Sequence, residues 1–159
     1  MLRFVTTALF LAAAPQAMAQ NVVFGGMKAD ITAPVEVAAD SLSVDQGDGS
    51  AVFTGNVVIG QGEMRLSADR VNVEYGEGGQ NRIRSLHAEG GVTLVSGADA
   101  AEAREAVYDV ELGNVTLTGD VVLTQGQNVL TGDRLQVNLG SGTAQVDGRV
   151  RSVLQPEGN

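Results

Sequence analysis

The sequence predicts an all-β fold built from stacked copies of one two-sheet unit, and three observations carry that prediction. First, Val52-Phe53-Thr54-Gly55-Asn56-Val57-Val58-Ile59-Gly60-Gln61-Gly62, followed by Met64-Arg65-Leu66-Ser67-Ala68-Asp69-Arg70-Val71-Asn72-Val73, has a second copy later in the chain. It returns as Leu117-Thr118-Gly119-Asp120-Val121-Val122-Leu123-Thr124-Gln125-Gly126 and Leu130-Thr131-Gly132-Asp133-Arg134-Leu135-Gln136-Val137, with the same turn residues and apolar parity. A long internal repeat marks stacked supersecondary units. Second, 21 glycines stand against three prolines, with valine, leucine, isoleucine and threonine between them, which is a strand-and-turn composition. Third, the apolar alternation slips by one residue at Ala39-Asp40, Ala68-Asp69 and Gly132-Asp133. A one-residue slip turns every later side chain to the other face. Continuous burial on one inside therefore demands a bulge or corner at each slip, of the kind that carries a strand from one sheet to the next.

Taken in order, residues 1–19 read as a cleavable secretory signal: Arg3, an apolar run from Phe4 to Ala14, then Ala17-Met18-Ala19. The run is shorter than the roughly 20 residues a membrane-spanning helix needs. Residues 20–30 are weakly patterned and read as a flexible arm, with a short strand near Val22-Val23-Phe24. The first clear strand is expected over Ile31–Val37, followed by Leu42 and Val44 after the Asp40 corner, and a hairpin turn at Gln46-Gly47-Asp48-Gly49-Ser50. Phe53, Val57 and Ile59 share one face of the next strand; Met64 and Leu66, then Val71, Val73 and Tyr75, follow around the Asp69 corner. Ala98–Ala106 is rich in alanine and glutamate, and its helix propensity suggests a loop or one helical turn leading into Ala106, Tyr108 and Val110. Ala103-Arg104 is a weaker fourth corner, and Gly55, Gly91, Gly119 and Gly148 recur in step with the corners. Four units of about thirty residues result. They make a folded domain over 31–154 and leave a short tail at 155–159.

The core expected from parity runs through Val35, Val37, Leu42, Val44, Phe53, Val57, Ile59, Leu66, Val71 and Val73. It continues through Leu86, Val92, Leu94, Tyr108, Val110, Val115, Leu117, Val121, Leu123, Leu135, Val137 and Val146. A lining of this kind either packs solid or leaves a groove, and the residues alone leave both open.

Charge and chemistry narrow the function. Ten Lys and Arg face 19 Asp and Glu, and losing Arg3 with the signal makes the chain more acidic still. Such a chain is a poor partner for nucleic acid or for an anionic membrane surface. It has no cysteine, so packing and strand pairing alone must hold it. His87 is the single histidine and no serine or cysteine nucleophile stands in a recognisable motif around it, so no enzyme is expected. The aspartates Asp40, Asp69 and Asp133 sit beside Arg70 and Arg134 rather than beside more carboxylates. They read as structural corners accepting backbone N–H bonds, not as metal ligands. Asp45-Gln46-Gly47-Asp48-Gly49 lacks the ligand spacing and distant glutamate of a calcium loop. Neither a metal nor a cofactor is expected.

Phe53-Thr54-Gly55-Asn56-Val57-Val58-Ile59-x-Gln61-Gly62 and Ala68-Asp69-Arg70-Val71-x-Val73 resemble the signature of the OstA/LptA family, periplasmic lipopolysaccharide-transport proteins of Gram-negative bacteria. Leu117-Thr118-Gly119-Asp120 with Gly132-Asp133-Arg134 is similar to the family's second copy, Pro34-Val35-x-Val37-x-x-Asp40 to its opening strand, and Tyr108-Asp109 to its middle. The resemblance covers roughly 31–154. It implies an elongated, slightly twisted β-jellyroll, open at both ends, whose hydrophobic groove holds the acyl chains of lipopolysaccharide. It also implies end-to-end joining with itself and with the jellyroll domains of inner- and outer-membrane components of one bridge.

On that basis Val35, Val37, Leu94 and Tyr108 match groove positions of the family, and parity adds Phe53, Ile59, Val73 and Leu123. The same-face pairs Arg82 with Arg84 and Arg149 with Arg151 are candidates for lipid-phosphate contacts, or for charges that blunt exposed edges. Edge-strand joining would use Ile31, Val35, Val150 and Val153. The chain departs from the family in its acidity and its single lysine, Lys28. The alternative to a lipid-carrying bridge is a structural β-protein with a packed core that assembles through the same edges and carries nothing. A membrane-anchored component of the same pathway fits less well with a cleaved signal.

Overall fold

The computed structural model describes residues 21–22, 27–77 and 82–156; the expected signal at 1–19 lies outside them. All regular structure among the described residues is β. The strands are β1 (Asn21–Val22), β2 (Glu36–Ala38), β3 (Ser41–Val44), β4 (Ala51–Gln61), β5 (Met64–Tyr75) and β6 (Ile83–Ser96). They continue with β7 (Asp99–Asp109), β8 (Asn114–Gln125), β9 (Asn128–Asn138), β10 (Thr143–Asp147) and β11 (Arg151–Val153). All pairings are antiparallel, in the order β1-β10-β9-β8-β7-β6-β5-β4-β2, with β3 also on β4 and β11 also on β9. The ladder does not close, so the fold is open at β2 and β3 on one side and at β1 and β11 on the other.

Each of the six long strands, β4 to β9, is interrupted once at the same level. In β4, Gly55 and Asn56 stand opposite the single residue Asp69 of β5. Gly90 and Gly91 of β6 stand opposite Arg104 of β7, and Gly119 and Asp120 of β8 opposite Asp133 of β9. Two residues against one is a β-bulge. Both members of each pair have positive φ: 81° and 46° at Gly55 and Asn56, 84° and 84° at Gly90 and Gly91, 88° and 47° at Gly119 and Asp120. Gly148 and Arg149, at 77° and 46°, repeat the device beyond β10.

These interruptions line up as a seam that folds the sheet into two facing halves. One half contains Leu94 and the other contains Tyr108. Strands that spend two residues at the seam keep their inward parity (Val115 and Leu117, then Val121 and Leu123), whereas strands that spend one reverse it (Met64 and Leu66, then Val71 and Val73). Both halves contribute to one core, which contains Ile59, Leu66 and Leu94 with Val73, Leu86 and Leu135. The corners expected at Asp40, Asp69, Arg104 and Asp133 are the seam.

Four expectations are corrected. The strand expected over Ile31–Val37 is reduced to Glu36–Ala38, and Ile31 lies in a turn. Asp30 side-chain and backbone oxygens accept hydrogen bonds from Thr32 and Ala33, which curls the chain there. Ala98–Ala106 is neither loop nor helix: β7 begins at Asp99 and is paired on both sides, by β6 and β8. Helix propensity is worth tenths of a kcal/mol per residue, and two complete ladders override it. Leu42 and Val44 are 54% and 47% exposed rather than core, because β3 is a terminal strand with no neighbour beyond it. Within the stretch read as a flexible arm, Met27 and Ala29 are buried.

Adjacent glycines isolate what the seam requires. Gly90 and Gly91 share φ of 84°, but a Cβ on Gly90 would lie 2.7 Å from Asp69 Cβ, whereas one on Gly91 meets nothing within 4 Å. Gly91→Ala should cost about 1–2 kcal/mol from backbone strain alone, and Gly90→Ala about 1–3 kcal/mol more from the clash. Urea unfolding of both variants checks this, and equal losses would show that the seam does not depend on close approach.

Candidate functional site

The candidate site is the apolar interior between the two halves. Strand register arranges it as three rows that cross the ladder. Val37, Ile59, Leu66, Leu94, Ala101, Leu123 and Leu130 are successive partners in the Leu94 half. Leu42, Phe53, Val71, Ala88, Ala106, Leu117, Leu135 and Val146 form the second row. Val44, Ala51, Val73, Leu86, Tyr108, Val115, Val137 and Ala144 form the third. Each rung is one strand spacing, about 4.8 Å, from the next, so the rows are continuous apolar tracks along the long direction of the sheet.

Of the eight residues expected to line a groove, Ile59, Val73, Leu94, Tyr108 and Leu123 are at most 1% exposed inside these rows. Val35, Val37 and Phe53 are half-buried and pack against the core near its β2 and β3 edge. The structure thus brings all eight to one interior.

Among the described residues, buried polar side chains occur only near the hairpin ends, and the sequence reading did not single them out. Gln61, Ser96 and Asp99 are buried. Gln61 continues the alternation of Val57 and Ile59 and recurs as Gln125 in the second copy, which is the signal that could have found it. Tyr108 O–H, from one half, donates to Gln61 Oε1, from the other. Gln61 Nε2 donates in turn to the carbonyls of Ile31 (3.1 Å) and Ala33 (2.9 Å). Ser96 Oγ donates to the carbonyl of Lys28 at 3.2 Å. Burial pushes the Asp99 carboxyl up, and Gln125 Nε2 lies 3.4 Å from it. Burial, with help from the Asp109 charge, pushes the Tyr108 phenol up to about 12.

Most of the expected arginines are already engaged. Arg82 pairs with Glu111 at 3.1 Å, Arg84 with Glu74 at 2.7 Å, and Arg149 with Asp133 at 2.8 Å. The Arg84 guanidinium holds Glu74 below its ordinary range, and Arg149 does the same for Asp133. Arg151 is exposed on β11. Asp40 accepts from Asn56 Nδ2 at 2.9 Å, and its amide donates to Gly55 O. Asp133 donates its amide to Gly148 O, and Asp69 packs on Gly90. Of the expected edge contacts, Val150 and Val153 are exposed at the β11 side. Ile31 is also exposed but lies in a turn, against Gly113 and Gly140, and Val35 is half-buried outside any strand.

The family described as LptA/(LptD N-terminal domain) LPS transport protein matches residues 36–143. An uncharacterised protein of Rhizobium meliloti (strain 1021) is 31% identical, over 94% of this chain and 86% of its own length. The lipopolysaccharide export system protein LptA of Escherichia coli (strain K12) is 27% identical, over 80% of this chain and 71% of its own length. The crystal structure of LptH, the LptA-homologous periplasmic component of the lipopolysaccharide transport device of Pseudomonas aeruginosa, superposes with a TM-score of 0.71. It covers 80% of this chain and 99% of LptH at 21% identity, a likeness of fold.

The cross-interior bond has a measurable signature. Tyr108→Phe leaves Gln61 Oε1 without its donor and should cost about 1–3 kcal/mol at neutral pH. The folded phenol titrates near 12 against an ordinary 10, so its contribution is intact below pH 10 and is lost as pH rises from 10 to 12. A shift of that size amounts to at most about 3 kcal/mol. Unfolding free energy measured across that window should fall in the parent chain and fall less in Tyr108→Phe. Identical slopes would mean the phenol is not held by the fold.

Proposed function

The chain belongs to the LptA/(LptD N-terminal domain) LPS transport family, and from that membership we propose that it is a periplasmic lipopolysaccharide-binding bridge protein. It would carry the acyl chains between its two halves and pass the lipid from inner to outer membrane. The observation that carries this reading is the set of three unbroken apolar rows facing one interior in a ladder left open at both ends. Burial of acyl chains against such rows stabilises by about 25 cal/mol per Å² without fixing a direction, so cargo can slide from rung to rung. No bond is made or broken in this role. The expected periplasmic location rests on the signal pattern at 1–19.

End-to-end joining is supported by the edges. Leu42 and Val44 on β3, and Val150, Val153 and Leu154 at β11, are exposed apolar side chains on the two open sides of the ladder. An edge of one copy added to the opposite edge of the next makes a heterologous, extending contact. The partners would be a second copy and the jellyroll domains of the membrane components. Lipid phosphates would meet Arg151 directly, whereas Arg82, Arg84 and Arg149 would have to exchange a carboxylate for a phosphate.

A second reading, a structural domain that carries nothing, is favoured by one observation: the central rows are filled by their own side chains, with Ile59 and Leu94 fully buried. Mass spectrometry of lipid released from the mature protein, purified out of a Gram-negative periplasm, separates the two. Stoichiometric lipid A is expected, whereas clean protein that takes up no added lipopolysaccharide would favour the structural domain.

The lining is tested at Val37. Aspartate at Leu94 would bury an unpaired charge and endanger the fold, but Val37 is half-buried at the edge. Val37→Asp should keep its circular dichroism and lower lipid content at least about tenfold, the equivalent of 1.4 kcal/mol. Normal lipid loading would remove Val37 from the groove.

The edges are tested separately. Leu42→Lys is a surface change and should leave stability within about 0.5 kcal/mol, while sedimentation velocity shows loss of concentration-dependent oligomers. Unchanged association would place the joint elsewhere.

A further inference from the structure

Residues 27–33 bridge the hairpins of both halves. On the Leu94 side, Lys28 O accepts from Ser96, Ile31 O and Ala33 O accept from Gln61, and Asp30 lies against Gly62. On the Tyr108 side, the Ala29 amide donates to Leu139 O at 2.8 Å, and Ile31 lies against Gly113. Met27 and Ala29 point into the interior, while Lys28 and Asp30 point out. The segment is therefore a strap across the line where the free ends of the two halves face each other.

We propose that this strap is a displaceable lid that occupies the cargo's place: lipid acyl chains enter by lifting it. The proposal rests on the lipid-carrying reading above. The strap resembles an acylated ligand in its chemistry. It places an unbranched apolar side chain, Met27, in the interior, and presents backbone carbonyls to two buried donors, Gln61 Nε2 and Ser96 Oγ. Those donors are costly to leave unpaired, so the strap stays down until something supplies equivalent acceptors. The ester and amide carbonyls at the heads of acyl chains do so, and a hydrocarbon alone does not.

The strap is also the covering most easily released. The inner strands are held by complete ladders on both sides, whereas, among the described residues, 27–33 are held to the rest of the fold by one backbone bond to Leu139 and three side-chain bonds to carbonyls. Elements with few hydrogen bonds open first, and methionine leaves an apolar site with little steric commitment.

A Cβ built on Gly113 lies 3.8 Å from Ile31 Cβ, the separation of an ordinary disulfide, and the chain has no cysteine to compete. The full mature chain with Ile31→Cys and Gly113→Cys, oxidised, should take up lipopolysaccharide at least about tenfold less than when reduced. Reductant should restore it to the level of the single-cysteine variants. In the unmodified chain, saturation with lipopolysaccharide should speed hydrogen exchange at the Ala29 amide. Equal uptake by the oxidised and reduced forms, or unchanged or slower exchange at Ala29, would make the strap a fixed wall and leave the carrying role standing. Failure of the unmodified chain to take up lipopolysaccharide would overturn the carrying role and the lid with it.

Discussion

The structure depends on one constraint: each long strand must bend once without turning its apolar face outward. An extended strand alternates sides, so a bend of arbitrary length exposes half the residues beyond it. The chain meets this with two complementary insertions that only work as neighbours. Gly55-Asn56, Gly90-Gly91 and Gly119-Asp120 advance two residues at positive φ and keep parity, while Asp69, Arg104 and Asp133 advance one and reverse it. The side chain in the second position often ties the seam down. Asn56 bonds Asp40, Asp120 pairs with Arg104 and Arg149 pairs with Asp133. At Gly90-Gly91 there is no side chain to do this, and Asp69 packs directly on the backbone. Because these exposed ion pairs are worth little on their own, the seam is set by backbone shape and the charges decorate it.

Folding about the seam has a consequence for the interior. It brings hairpin ends of the two halves together, so Tyr108 and Gln61 meet although they stand 47 residues apart in the chain. Among the residues of the three rows only Tyr108 carries a side-chain polar atom, its hydroxyl at this rim, where Gln61, Ser96 and Asp99 are also gathered. In the proposed carrying role, a cargo sliding along the rows would meet directional interactions only along the line where it enters.

Much of this was legible in the sequence. Parity slips at Asp40, Asp69 and Asp133 located the seam, and alternation located Ile59, Leu94, Tyr108 and Leu123 inside. What was not legible depended on tertiary neighbours. Met27 and Ala29 carry no strand pattern, since an isolated strap needs only two inward side chains and acceptors supplied from elsewhere. β7 disguised itself with alanine and glutamate, since its inward positions Ala101 and Ala106 carry no strong strand signal of their own and are held by the ladders of β6 and β8. Leu42 and Val44 had the right parity for burial and lacked only a further strand to cover them. Arg149 and Arg151 look alike in sequence, but the seam claims the first.

The edge formed by β2 and β3 is where the fold and the proposed role connect. Val37, Leu42 and Val44 are the first rungs of the three interior rows, each exactly opposite a β4 residue, namely Ile59, Phe53 and Ala51. Their exposure is the exposure of a track that stops at the edge. A strand added beyond β3 would extend the rows only in the register that keeps its apolar residues on the same face, since a one-residue slip would put polar groups on the track. In the proposed end-to-end assembly, joining of two copies would thereby be coupled to continuity of the path between them. The excess of acidic residues bears on the proposed role: with net charge −9, the outside offers an anionic lipid no general attraction, so a carried lipid would have to be held by apolar contact along a continuous interior.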